Sequence, residues 1–252
     1  NSSVMMDAFI IFLLVCIFLY SLCGGKIPWQ RANNKLLYIS LVWMIYVFFE
    51  LFNPSAVIEA WVYTRNSFYN FTLLVLLTSL LLSRVLDIKR ILFLLSIFTL
   101  IAIAKALIQR YIGFDAGENA WLIRSESYKT HLLPSGIRYF SIFSDAGNFG
   151  SNMGMAAVVF MILSFYMSNK KLRYYYRFVS LLAAYGLIMS GTRGAMIVPL
   201  GGLAMFILLN KNIRYIVGGA ICLLFIYIFF AQTHIWDSNR QIHRMRTAFH
   251  PE

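Results

Sequence analysis

The residues best placed to do chemistry are Ser190-Gly191-Thr192-Arg193-Gly194-Ala195, a glycine-flanked arginine between apolar runs at 178–189 and 195–209. A guanidinium at the centre of a membrane helix costs at least ~2.5–3.5 kcal/mol. An arginine kept there faces a wet cavity or an anionic partner, unless it simply marks a surface turn. Only 33 residues separate Arg177 from Lys211, whereas two full crossings need about 20 residues each. The spacing therefore predicts a turn recessed below the outer surface. Pro199 lacks an N–H and clashes with the carbonyl four residues back, which predicts a freed Ala195 oxygen beside the arginine and a broken helix.

Two further stretches have the same character. Arg65-Asn66-Ser67 precedes one apolar run, and Arg138 lies just upstream of Asp145-Ala146-Gly147-Asn148, which precedes another. A helix N-terminus offers free N–H groups and a positive dipole end, and with an adjacent arginine it suits a phosphate. The expected anion pocket thus draws on Arg193 and Arg138, with Arg65, Asp145, Asn148, Thr192 and Gly194 around it. The competing reading makes Ser67, Asp145 and Thr192 ordinary caps and sends the arginines to lipid headgroups. Lys105 interrupts the 91–112 run and either snorkels to the interface or lines the pocket. Glu50, Glu59, Asp115, Glu118 and Glu126 could each act as a general base, or remain solvated charges. His131, His234, His243 and His250 have no metal-ligand spacing and read as surface residues. The segment 239–250 reads as a basic helix lying on the membrane surface. No metal site, cofactor motif or nucleic-acid motif is expected.

These residues need a scaffold, and composition indicates its kind. The chain has 252 residues, 60% hydrophobic and 13% charged, which excludes an ordinary soluble domain. The expected fold is all-α, a polytopic transmembrane bundle of about eight spans at 4–23, 36–52, 67–83, 91–112, 148–168, 178–190, 195–209 and 213–231. It forms one domain over 1–252, with 232–252 opening an outer loop. The run at 4–23 lacks a basic n-region and reads as a span rather than a signal peptide. Lysine and arginine concentrate in four alternate connections, around Lys26–Lys35, Arg84–Arg90, Lys170–Arg177 and Lys211–Arg214. The positive-inside rule puts these in the cytoplasm and the arginine motifs outside. Cys16, Cys23 and Cys222 form no framework and read as small core residues. The Asn70-Phe71-Thr72 sequon opens a membrane segment and is discounted. The chain begins without methionine and stops in a basic run, as a piece of a longer protein would.

Ser190-Gly191-Thr192-Arg193-Gly194-Ala195 resembles a Ser-x-Ser-Arg-Gly-Ala motif of the O-antigen ligase and O-antigen polymerase superfamily, with threonine for the second serine. Arg138-Tyr139-Phe140 with Ser144-Asp145-Ala146-Gly147-Asn148-Phe149-Gly150 resembles its second outer-loop arginine motif. Leu51-Phe52-Asn53-Pro54-Ser55 and Arg244-Met245-Arg246-Thr247-Ala248-Phe249 resemble segments of a subgroup. The resemblance implies an inner-membrane glycosyltransferase with its active face in the periplasm. It would take an undecaprenyl-diphosphate-linked glycan to lipid A-core or to another glycan, without metal or nucleotide sugar. Arg138 and Arg193 would hold the diphosphate. The family's proposed histidine base lies in a large loop and has no counterpart among the four histidines here. A flippase or transporter of lipid-linked sugars and a non-catalytic membrane subunit are the rival expectations. The first of these needs inverted repeats, which the sequence lacks.

Overall fold

The computed structural model describes residues 2–53, 55, 57, 69–82, 84–134, 136–210, 213–233 and 240–246. Among these, the chain is helical apart from loops and one two-stranded hairpin, in keeping with the all-α expectation. Read from the sequence as one domain, it divides into two compact units, Asn1–Ile91 and Leu92–Glu252.

The first unit contains α1 (Ser2–Leu22), α2 (Lys35–Phe49) and α3 (Phe71–Leu81). Helix α2 starts at Asn34, whose side chain accepts the Leu37 N–H at 2.9 Å, and it runs out into a 3-10 turn at Glu50–Phe52. Apolar surface alone does not orient such helices in lipid, because the tails are as apolar as leucine. Polar pairs do so here. Asn70 donates to Asp7 at 3.1 Å, Thr72 to the Ser40 carbonyl at 3.0 Å, and Asn34 to Ser79 at 3.0 Å. Asn70 is 2% exposed, a burial that no glycan-bearing asparagine could have.

Helix α4 (Val85–Tyr111) crosses from one unit into the other. The second unit continues with α5 (Ala116–Arg124), the turn α6 (Tyr128–His131), a hairpin of β1 (Leu132–Leu133) and β2 (Gly136–Ile137), then α7 (Ala146–Tyr166), α8 (Lys170–Ser190), α9 (Ile197–Leu209), α10 (Ile213–Ala231) and α11 (Arg240–Arg246). Its centre is the antiparallel pair α7 and α8. Phe149, Met153, Val179, Ala183 and Met189 are fully enclosed there, Phe160 stacks on Tyr176 at 5.7 Å, and Ser180 donates to the Ala157 carbonyl at 2.6 Å.

Among the described residues, Val85–Tyr111 and Ala146–Tyr166 are long and apolar enough to cross a membrane. Large apolar side chains such as Phe98, Leu181, Ile197 and Leu224 face outward, more apolar surface than a water-soluble monomer leaves uncovered. The expected span at 178–190 is the second half of α8. That helix starts at Lys170, where Asn169 caps it, and its 21 residues reach roughly 31 Å. The short arm of the hairpin is therefore α9, 13 residues and roughly 20 Å long. Pro199 does not break a helix. A 3-10 turn at Arg193–Met196 precedes α9, so Pro199 falls in the first helical turn, where its missing N–H has no partner to lose. The Ala195 carbonyl and the Pro199 ring both face Gly154 of α7. The three cysteines are exposed, not core.

Candidate functional site

The turn that carries Arg193 is made by Gly191, which ends α8 in the left-handed conformation at φ +56°, a region where a β-carbon is costly. Two glycines of α7 then let the turn settle against that helix. A β-carbon on Gly150 would collide with Ser190 Oγ and lie 2.9 Å from Ala195 Cβ; one on Gly154 would lie 2.8 Å from Pro199 Cδ. This close approach through small residues spaced by four is a common way to join membrane helices.

Arg138 follows β2 and is half-buried. Its Nη2 donates to Thr192 Oγ1 at 2.8 Å and its Nη1 to the Thr130 carbonyl at 3.2 Å. Its backbone N–H donates to the His131 carbonyl at 2.8 Å, and the Tyr139 N–H reaches Met189 O at 3.4 Å. Thr192 Oγ1 in turn donates to the Ser190 carbonyl at 3.2 Å. Thr192 therefore does not cap the following helix with its side chain; it receives Arg138. The two arginines singled out in the sequence, 55 positions apart, are brought to one turn.

A third arginine joins them. A β-carbon at Gly191 would lie 3.6 Å from Arg138 Cγ, 3.8 Å from Arg244 Cδ and 4.0 Å from Gln241 Cγ. Arg244 feels the charges of both Arg138 and Arg193. Burial first, and then those two neighbours, lower its guanidinium pKa from the ordinary value. Burial also lowers that of Arg138, with Asp145 opposing and Arg193 adding to the shift; arginine stays charged throughout. Asp145 is the carboxylate within reach of Arg138, and it caps α7 by accepting the Gly147 and Asn148 N–H groups. Arg193 and Gly194 are exposed. Asn148, in the helical turn that Asp145 caps, is also exposed, its side chain donating to Ser144 Oγ at 2.9 Å.

Helix α11 is not a surface helix. Ile242, Met245 and Arg246 are buried, the helix packs on α8, α10 and β2, and Arg246 lies 5.5 Å over the Phe229 ring. Its alternation of basic and apolar residues resembles an interfacial helix, but the apolar residues at 242 and 245 face protein. That inward i, i+3 pair was the available sign that Arg244 belongs to the site. Beneath it, Met245, Met196, Leu187, Pro199 and Phe230 help to line an apolar cavity of about 230 Å³.

The remaining expected residues divide. Lys105 does not join the arginines: its Nζ is bound by Asp115 at 2.7 Å and Glu118 at 2.9 Å. Those carboxylates are thereby occupied, Asp115 also forming a capping box with Glu118. The bond to Lys105 is the main cause lowering the Asp115 pKa. Gln109 holds the loop at Ser141 through bonds of 3.1 and 2.8 Å, and Ser141 accepts a φ of +56° there. Arg65, Ser67 and Glu59 lie outside the described residues, as do His234 and His250. His243 is exposed, whereas His131, read as a surface residue, is 3% exposed. Its ring sits edge-on to Phe140 at 4.9 Å and Trp121 at 5.8 Å. No group of three or more His, Cys, Asp or Glu among the described residues is arranged to hold a metal ion. No family model, curated protein or solved structure matches the chain.

Proposed function

We propose that Arg138, Arg193 and Arg244 bind the diphosphate of a polyprenyl-linked saccharide, and that the protein is a multi-pass inner-membrane glycosyltransferase of the O-antigen ligase and polymerase type. The observation that carries this reading is the convergence of three guanidinium groups around Gly191 with Asp145 as the nearby carboxylate. Such a cluster repels itself and is offset by a multiply charged anion, for which arginine forks are well matched. In the reaction, an acceptor hydroxyl on lipid A-core or on another glycan attacks the anomeric carbon and gives up its proton to solvent. The bond from that carbon to the diphosphate oxygen breaks, and undecaprenyl diphosphate leaves. The arginines stabilise the charge that develops on the leaving oxygen, as fixed electrostatic catalysts do. No metal or nucleotide sugar takes part. The apolar cavity under Met196 and Met245 offers room for part of a lipid chain, and the eight-span topology opens the cluster to the periplasm.

Replacing Arg193 with alanine in the full-length protein is expected to abolish glycan transfer, by at least roughly a hundred-fold as for loss of one transition-state donor, with membrane insertion unchanged. Glycan transfer in a reconstituted membrane assay measures it. Wild-type transfer by Arg193→Ala would remove the proposal.

A further inference from the structure

His131 is the one buried histidine among the described residues, and it sits on the backbone that fixes Arg138. Its Nδ1 lies 2.9 Å from the Ser127 carbonyl and 3.0 Å from Thr130 Oγ1, whose own hydrogen is donated to that same carbonyl at 3.0 Å. A carbonyl only accepts, so Nδ1 carries the proton and Nε2 is a bare lone pair. Nε2 is buried and has no hydrogen-bond partner among the described residues. The Arg138 N–H is bonded to the carbonyl of His131 itself, and Arg138 Nη1 to that of the adjacent Thr130. A proton on Nε2 would be a buried donor with no acceptor, in an aromatic cage, next to a cation.

We infer that His131 is a pH-sensitive latch: neutral, it holds the Ser127–His131 turn closed and Arg138 in the site; protonated, it releases both. The charged groups acting on the ring are Arg138, beyond β2, and Asp145, at the start of α7. On α5, Glu118 is bound to Lys105 and Gln109, and Arg124 is exposed. Within the turn, Glu126 and Lys129 pair with each other in solvent. Asp145 is thus the carboxylate that opposes the release, and it is shared with Arg138. Burial is the first cause lowering the imidazole pKa from its ordinary 6.5; the Ser127 carbonyl opposes it, Arg138 adds to it and Asp145 opposes. With the closed-state pKa depressed, the opened segment binds the proton first. Closure is therefore fully stable above about pH 6.5 and is lost progressively as pH falls below it.

The consequence for ligand binding rests on the proposed diphosphate site, but the latch does not. Hydrogen exchange on the full-length protein in detergent, at about pH 7.5 and about pH 5.5, reads the latch at the Arg138 amide, with intrinsic exchange rates divided out. Protection in the wild type is expected to fall roughly ten-fold per pH unit below the histidine range. In His131→Gln and His131→Phe it is expected not to change with pH. Two variants are used so that one that fails to fold leaves the other to decide. Undecaprenyl diphosphate affinity is expected to weaken in parallel in the wild type only, because a loosened Arg138 must be re-ordered on binding. Unchanged wild-type protection, or an equal loss in a folded variant, would overturn the latch. Absence of diphosphate binding at the higher pH would instead count against the site, with the exchange result still deciding the latch.

Discussion

Arg138 reaches Thr192 with one terminal nitrogen and a backbone carbonyl with the other, which fixes its guanidinium plane before any ligand arrives. Preorganised donors do most of the work in electrostatic catalysis, since nothing has to reorient as charge develops. Asp145 bears on the same cluster in two ways, as a helix cap and as a nearby negative charge. Asparagine keeps the capping ability and removes the charge. Asp145→Asn should therefore bind undecaprenyl diphosphate several-fold more tightly, and titration calorimetry across a salt series checks it. Weaker binding would mean that the carboxylate orients Arg138 more than it competes with the ligand. Arg193 was legible in the sequence because a lone arginine in apolar surroundings has few inexpensive explanations, and Arg138 because it lies just upstream of a helix start. Arg244 was not, because in a run of basic residues no single charge stands out, and only the buried partners of Ile242 and Met245 set it apart. His131 was missed for a related reason: its burial depends on Trp121 and Phe140, which are brought beside it by a hairpin of two-residue strands that leaves no periodic trace.

At the level of elements, the turn at 190–196 and the start of α7 are held by contact rather than by a hydrogen-bonded ladder. Gly150 and Gly154 make that contact, and a larger side chain must push the turn away. Gly154→Val is expected to lower stability by about 1–3 kcal/mol, the usual cost of overpacking. Gly201→Ala, whose added carbon meets nothing within 4 Å, should remain within about 1 kcal/mol of the wild type or gain slightly from helix propensity. Thermal unfolding in detergent separates the two; equal midpoints would show that α7 and the turn are not packed in solution as described. Helix existence was readable from apolar run length, and most ends fall within a few residues of expectation. One exception is α4, which starts at Val85 rather than at 91; two others were set by local chemistry. The start of α8 moved back to Lys170 because Asn169 caps it and lysine and arginine stems tolerate a helix, and α9 gained a 3-10 turn because a proline suits a first turn.

On the scale of the molecule, two helices among the described residues meet the length and apolarity needed to cross a bilayer, and the proposed topology has more. The orientation is testable on α7 alone. Single cysteines at Ser144 and Asn169 flank that helix, and an impermeant thiol reagent applied to intact cells should label the first and spare the second. The background must lack Cys16, Cys23 and Cys222, so that the introduced thiol is the one read. Labelling of position 169 from outside would reverse the positive-inside assignment and put the arginines on the cytoplasmic side. Composition announced a lipid-facing chain because apolar side chains on both faces of a helix need apolar surroundings. The division into units at residue 91 had no such sign, since it falls within one uninterrupted helix, Val85–Tyr111.

The glycine contact has one more consequence. Because Ser190, Ala195 and Pro199 bear directly on α7 at two successive turns, the Thr192–Arg193 turn and the Asp145 cap travel as a single block. Thinning or thickening the surrounding bilayer would tilt that block without prising it apart. The proposed glycan transfer, assayed with the purified protein, should accordingly stay level across lipids of different acyl length, as long as the bundle itself remains intact.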